Sequence, residues 1–308
     1  MRIIVTGGTG LIGHQLVMDL ANDGHEVVVL SRNPHQAGPM PATVSFAQWD
    51  AQTADGWGHL ADGADAIVNL ASANIAGDGF LPSRWTRERK KLILDSRVYP
   101  GQAVVEAVKQ AQKPPKVVIQ ASGAGYYGVH DYSVTITEDS PPGDDFLADV
   151  CKQWEASTAA VTDMGVRHVI IRTGVVLSEE GGALPRLALP FKLFVGGPLG
   201  SGKQPLPWIH MHDEVKAIRH LIMDRDASGP YNLTAPNPVT NREFGNKLGK
   251  VLGRPSLIPA PAFAFRLAFG EVATVVLDGQ KAVPQRLEES GFEFTYTQPE
   301  AALREIYG

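Results

Sequence analysis

Residues 2–23 read RIIVTGGTGLIGHQLVMDLAND. An apolar, β-branched run (RIIVT) gives way to a glycine turn and then to apolar residues at helical spacing, and the order strand, glycine turn, helix is the context that gives such a motif meaning. Gly8, Gly10 and Gly13 satisfy G-x-G-x-x-G, while Gly7, Gly10 and Gly13 satisfy G-x-x-G-x-x-G. A Cβ at these positions would block the tight turn, the approach of a pyrophosphate to the backbone, and the packing of helix on strand. The helix N-terminus offers free N–H groups and the positive end of its dipole to phosphates. Gly7, Thr9, Gly10, Leu11, Ile12 and Gly13 together are the expected cradle of a dinucleotide.

Outward from this point the pattern repeats. EVVVLS from Glu26, AIVNLA from Ala66, KVVIQAS from Lys116 and HVIIRTGVVL from His168 are short apolar runs separated by helical stretches, among them FLADVCKQWEASTAAV from Phe146. Strands of this kind, alternating with crossover helices, make a doubly wound parallel α/β sheet. From Gly174 the rhythm loosens into Pro- and Gly-rich segments such as GGPLGSGKQPLPW and TAPNPVTNREF. The expected division is therefore a dinucleotide-binding core over 1–173 and a smaller C-terminal lobe over 174–308, interleaved with the end of the sheet. The stretch PAPAFAFRLAFGEVATVVL from Pro259 is broken by Arg266, Gly270 and Glu271 and falls short of a membrane span, so a buried helix is expected there.

Composition narrows the function. A chain of 308 residues with 44% hydrophobic and 20% charged residues has ordinary globular composition. A net charge of -5 argues against nucleic-acid and membrane-surface binding, which need a cationic field. The single cysteine, Cys151, excludes an intramolecular disulfide or a multi-cysteine metal site and suits a reducing compartment. Met1 leads directly into the first strand with no leader before it, which reads as cytoplasmic.

The end of the second strand decides between the two nicotinamide cofactors. An NAD site usually places an acid there to hold the ribose hydroxyls; here the sequence is Leu30, Ser31, Arg32, Asn33. A guanidinium at this point pairs with a 2′-phosphate instead of repelling it, so NADP(H) is the expected cofactor. Asn69, Leu70 and Ala71 end the fourth strand, where backbone groups usually meet the adenosine ribose.

With TGGTGLIG, VNLASANI, RWTRERKKLILDSR, GYYG, FLADVCKQWE, IIRTGVVL, GGPLGSG, PWIHMHDE and GPYNLTAPNPVTNREF, the chain resembles the atypical short-chain dehydrogenases known as epimerase family proteins, close to the extended nucleotide-sugar epimerases. The resemblance covers nearly the whole sequence. It implies a Rossmann core, an NADP(H) site and a small lobe forming a cleft with it; substrates in the family are largely unassigned, and some members are linked to cell or plastid division. Extended short-chain dehydrogenases use an Asn, Ser, Tyr, Lys tetrad, in which the Tyr transfers a proton and the Lys lowers its pKa. Here the Asn falls on Arg97 and the Ser on Ser122 or Gly123. Anchoring on Glu155 places the Tyr at Leu147 and the Lys at Cys151, and no tyrosine in the chain has a lysine four residues later. Tyr126, Tyr127 and Ser122, just past the fifth strand, are the alternative catalytic candidates, and the resemblance favours Arg97 as a cofactor ligand.

Arg84 with Trp85, and Trp208 with His210, are the expected substrate contacts, since a guanidinium beside an aromatic suits an anionic or planar ligand. Asp213 is expected to cap the helix VKAIRHLIM. GPLGSGKQ at Gly197 imitates a phosphate-binding loop, but Gln204 stands where a magnesium-binding hydroxyl is required, and Pro205 and Pro207 oppose a following helix. Two readings remain open: an NADP(H)-dependent oxidoreductase or epimerase-like enzyme with a non-standard proton donor, or a cofactor-binding regulatory or assembly protein without catalysis.

Overall fold

The structure is a computed structural model that describes residues 1–34, 40–77, 79 and 81–308. Seven parallel strands form the central sheet: β1 (Arg2–Thr6), β2 (Glu26–Ser31), β3 (Val44–Gln48), β4 (Ala66–Asn69), β5 (Val117–Gly123), β6 (Arg167–Thr173) and β7 (Gly229–Leu233), in spatial order 7-6-5-4-1-2-3. The order reverses between β1 and β4, and ligands of such sheets bind outside the carboxyl ends of the strands at that reversal. The doubly wound α/β class expected from the sequence is the fold observed.

Strand alternation sends successive side chains to opposite faces. Ile3 and Val5 pack with Leu16, Val17 and Leu20 of α1 (Leu11–Asn22) and with Val215, Ile218 and Leu221 of α5 (Met211–Met223). Ile4, between them, packs on the other face with Ala103, Val104 and Ala107 of α2 (Arg87–Gln110). Helix α3 (Phe146–Ala156) covers the β5 and β6 side; the helical pattern expected to run on to Val161 instead breaks into a 3-10 turn over Ala159–Met164. No sequence run is singled out for β3, because VSFAQ is an edge strand with little burial.

A third cluster joins Leu184, Ala188 and Phe191 of α4 (Leu184–Lys192) to Trp208, to Phe244 and Leu248 of α6 (Asn241–Leu252), and to the C-terminal helix Pro299–Tyr307. This is the core of the small lobe. Between its parts, α5 and β7 return to the main sheet, so residues 211–233 belong structurally with the core that precedes residue 173. Gly197–Gln204 forms turns leading into a short strand at Pro205–Leu206, not a helix, in keeping with the two prolines. One expectation fails: α7 (Ala262–Phe269) has no buried residue. It ends at Gly270, whose φ of +67 no longer continues a helix, and it lies along the mouth of a cleft rather than in a core.

Candidate functional site

The cleft has a volume of about 1690 Å³ and runs from the glycine turn across the carboxyl edge of the sheet to the small lobe. Its floor is the cradle expected from the sequence: Gly7, Thr9, Gly10, Leu11, Ile12 and Gly13 all line it. Gly7 has φ +68, and a Cβ there would stand 2.9 Å from the Leu70 carbonyl carbon. A Cβ on Gly13 would lie 2.2 Å from the Gly7 carbonyl oxygen, inside any tolerable contact. Gly10 is the N-cap of α1, without a side-chain cap and with no acid in the first turn, so the helix end is free for an anion. The residues present thus fit a dinucleotide pyrophosphate.

A buried chain of hydrogen bonds fixes the strand ends around this turn. The Thr6 hydroxyl donates to Asn69 Oδ1 (2.6 Å) and accepts from the backbone N–H of Leu70 and Ala71 (3.1 Å each), while Asn69 Nδ2 donates to Gln120 Oε1 (2.8 Å). Leu70 and Ala71 therefore line the cleft, whereas Asn69 is fully buried and holds them from behind. Ser31 and Arg32 also line it, Arg32 exposed at the rim and Ser31 buried, accepting from the Asn33 N–H (3.1 Å).

Arg97 lies behind the cleft wall. It is 7% exposed, donates to the carbonyls of Ala73 (3.1 Å) and Ile93 (2.9 Å), and stacks on Trp154 at 4.8 Å. Burial lowers its pKa to about 10, which still leaves it charged at neutral pH. It shapes the 72–76 loop and the Trp154 ring, both of which line the cleft. Arg97→Met is accordingly expected to act twice: a loss of about 1–3 kcal/mol in stability from the Ala73 carbonyl left without its donor, the Ile93 carbonyl keeping the Ser96 hydroxyl, and a weaker hold on NADPH. Thermal unfolding and a binding titration on the same variant check this; an unchanged melting temperature contradicts the supporting role.

The aromatic candidates sit elsewhere. Tyr127 is fully buried; its hydroxyl donates to Asn232 Oδ1 (2.7 Å) and accepts from Arg172 (3.0 Å), and burial pushes its pKa up to about 12. Tyr126 lies under the Arg172 guanidinium, 3.5 Å from its ring centre. Neither lines the cleft. Both serve a buried network in which Arg172 binds Glu155 through two contacts of 2.9 Å and Ser122 donates to the same carboxylate at 2.6 Å. Burial works against the Arg172 charge, but the bound Glu155 carboxylate outweighs it and raises the pKa. Ser122 alone of the three catalytic candidates reaches the cleft.

The four expected substrate contacts are structural in this arrangement. Arg84 donates to the carbonyls of Ala268 (3.1 Å) and Leu267, capping α7. Trp85 donates to the Ile75 carbonyl (2.8 Å) and packs on Phe146. Trp208 is fully buried with its indole N–H on the Asn237 carbonyl (3.1 Å). His210 Nδ1 accepts from the His212 N–H (3.1 Å), making His210 the N-cap of α5, and its Nε2 meets Glu305 (2.9 Å). Burial lowers its pKa. Asp213 is not the cap: its carboxylate accepts from the N–H groups of Thr295 and Tyr296 (2.9 and 2.8 Å).

The structure brings forward a pair absent from the sequence reading. Arg172 and Thr173 are consecutive on β6 and point to opposite faces, Arg172 toward α3 and Thr173 toward α5. The Thr173 hydroxyl donates to Glu214 Oε1 (2.8 Å), and both residues line the cleft. Glu214 is fully buried; burial pushes its carboxyl up to about 8, so it carries a proton at neutral pH. Its Oε2 and the indole N–H of Trp154, also on the lining, have no partner among the described residues. At the tetrad positions, Leu147 lies near Gly125, and Cys151 faces the Gly123 carbonyl at 3.7 Å with its pKa pushed up to about 11 by burial. Cys151 supplies no positive charge.

Fold and cleft together define an NAD(P)-type dinucleotide-binding protein of the short-chain dehydrogenase class. The chain belongs to the NAD dependent epimerase/dehydratase family, whose model matches residues 3–234, with a domain of unknown function matched over 260–306. It is similar to the chloroplastic epimerase family protein SDR39U1 homolog of Arabidopsis thaliana (42% identity, 99% of this chain, 86% of the relative) and to epimerase family protein YfhF of Bacillus subtilis (39%, 99% and 98%). Among solved structures it resembles human epimerase family protein SDR39U1 with NADPH, at TM-score 0.88 and 36% identity over 100% of this chain and 99% of that one. A UDP-glucose 4-epimerase from Thermus thermophilus, at 20% identity and TM-score 0.77 (100% and 98% covered), shares the fold. Among the described residues no helix is long and apolar enough to cross a membrane, and no cluster of metal-binding side chains occurs.

Proposed function

We propose that the chain is an NADP(H)-dependent oxidoreductase or epimerase-like enzyme acting on a small molecule, in which Thr173, backed by Glu214, takes the proton-transfer place of the missing tyrosine. The glycine cradle and the free end of α1 would hold the pyrophosphate, Leu70 and Ala71 the adenosine ribose, and Arg32 the 2′-phosphate. The cofactor supplies or accepts a hydride when bound; everything else falls to the protein. With Glu214 protonated, the 2.8 Å contact can also run the other way, the carboxylic O–H donating to Thr173 Oγ; in that orientation the half-buried hydroxyl passes its own proton outward while taking one from Glu214, and no lysine is needed to prepare it. The observation that carries this reading is the Thr173–Glu214 pair on the cleft lining. The buried phenol of Tyr127, already shared between Arg172 and Asn232, is not suited to the task.

The test is transfer of label from tritiated NADPH to a panel of aldehydes and ketones. Thr173→Val is expected to lower transfer by about 10²-fold with NADPH affinity unchanged; wild type is expected to lose reductive rate as pH rises through about 8, and Glu214→Gln to remove that fall. Transfer untouched by Thr173→Val rejects the relay. No transfer from wild type to any carbonyl compound favours the second reading, a cofactor-binding regulator, for which Leu147 and the uncharged Cys151 speak.

A further inference from the structure

The cradle accounts for the inner half of the cleft; the outer half has a different chemistry. Beyond residue 173, the only charged side chains that line it among the described residues are Arg186 and the buried Glu214. Apart from Asn241, whose side-chain oxygen already accepts from the Leu199 N–H (2.8 Å), the side chains of that wall are apolar: Phe191 from α4, Phe244 from α6, Ile258, Phe265 and Phe269 on either side of the α7 start, and Val276. These come from segments far apart in the chain, so the apolar surface is assembled by the fold and not by one greasy run. Three of the apolar residues on the lining are conspicuously open to solvent, Leu81 at 65%, Val195 at 51% and Ile258 at 52%.

A nucleoside diphosphate sugar brings two negative charges and a ring of hydroxyls. Each needs a partner that this wall does not have, and buried without one each works against binding. An apolar molecule gains from covering the same wall, since burial of hydrocarbon is favourable in proportion to area. Arg186 is the exception and fixes the polarity of the ligand. Half-buried in α4, it has one amine on the Gly79 carbonyl (2.6 Å) and further donors for an acceptor or an anion.

We infer that the substrate is a largely apolar molecule carrying one anionic or hydrogen-bond-accepting head group held by Arg186, and not a nucleotide sugar. The inference rests on the cofactor occupying the cradle half, as proposed above.

8-Anilino-1-naphthalenesulfonate has this build, an aromatic body with one anionic group, and its fluorescence rises on transfer to an apolar site. NADPH-saturated protein is expected to bind one equivalent, decanoate to displace it, and UDP-glucose at millimolar concentration to leave it in place. Val276→Asp on the inner wall and Arg186→Met are each expected to weaken the probe about tenfold or more while NADPH titrations stay unchanged, which also shows that the variants are folded. Phe263→Ser with Leu267→Ser, on the outward face of α7, is expected to change nothing. Displacement of the probe by UDP-glucose, or probe binding lost with the α7 pair and kept by both cleft variants, overturns the inference. Failure of NADPH to bind wild type would instead strike the cofactor reading, because the probe measurement can be made without it.

Discussion

Arg172→Met is expected to lower the unfolding free energy by about 3–5 kcal/mol, the usual cost of breaking a buried ion pair by removing one partner. Arg172 is 4% exposed, and its guanidinium binds both oxygens of Glu155, the Tyr127 hydroxyl and the Glu138 carbonyl. Methionine fills much of the space but leaves the Glu155 carboxylate buried with only the Ser122 hydroxyl, and Tyr127 without a donor. Adding Glu155→Gln to Arg172→Met removes the stranded charge and should recover a large part of the loss. Urea unfolding of wild type and the two variants checks this; near-equal stability of wild type and Arg172→Met would mean that the network contributes little.

Gly13→Ala is expected to abolish measurable NADPH binding. The new methyl carbon would meet the Gly7 carbonyl oxygen at 2.2 Å and the Gly8 Cα at 2.9 Å, both backbone atoms that no rotamer change can move. The turn must open or α1 must withdraw, and either displaces the N–H groups that face the pyrophosphate. Gly24→Ala is the control: that glycine has a positive φ, which Gly13 lacks, but nothing lies within 4 Å of its Cβ, so only backbone strain is added and NADPH should still bind. Equal NADPH affinities for wild type and Gly13→Ala would show that the cradle is not where the cofactor sits.

These two sites show what could be read in the sequence. The glycine turn was legible because its parts are adjacent: strand, turn and helix follow within 22 residues, and the spacing itself states the geometry. The parallel sheet was legible for a similar reason, since each buried strand is a short apolar run. The Thr173–Glu214 pair was not, because it forms only when α5 packs across the carboxyl end of β6, 41 residues away. Nothing in IIRTGVVL or HMHDEVKAI marks either residue. Tyr127 and Trp208 misled in the opposite direction. Aromatics beside glycine, proline or histidine look like cleft residues, yet both are fully buried, their polar atoms bound to Asn232 and to the Asn237 carbonyl. The apolar helix α7 was taken for core because hydropathy reports composition, not which surface an element covers. The outer cleft was hidden for the same reason, its wall being drawn from α4, α6, α7 and the loops between.

The claim on which the rest depends is that an NADP(H) dinucleotide lies in the cradle with its 2′-phosphate against Arg32. Calorimetric titration of NADPH and NADH into wild type and Arg32→Ala measures it directly. The predicted result is tighter binding of NADPH by wild type, by about ten- to a hundredfold, with the preference lost in Arg32→Ala and NADH affinity the same in both proteins. Equal affinities of wild type for the two cofactors, or a preference that survives the substitution, would contradict it.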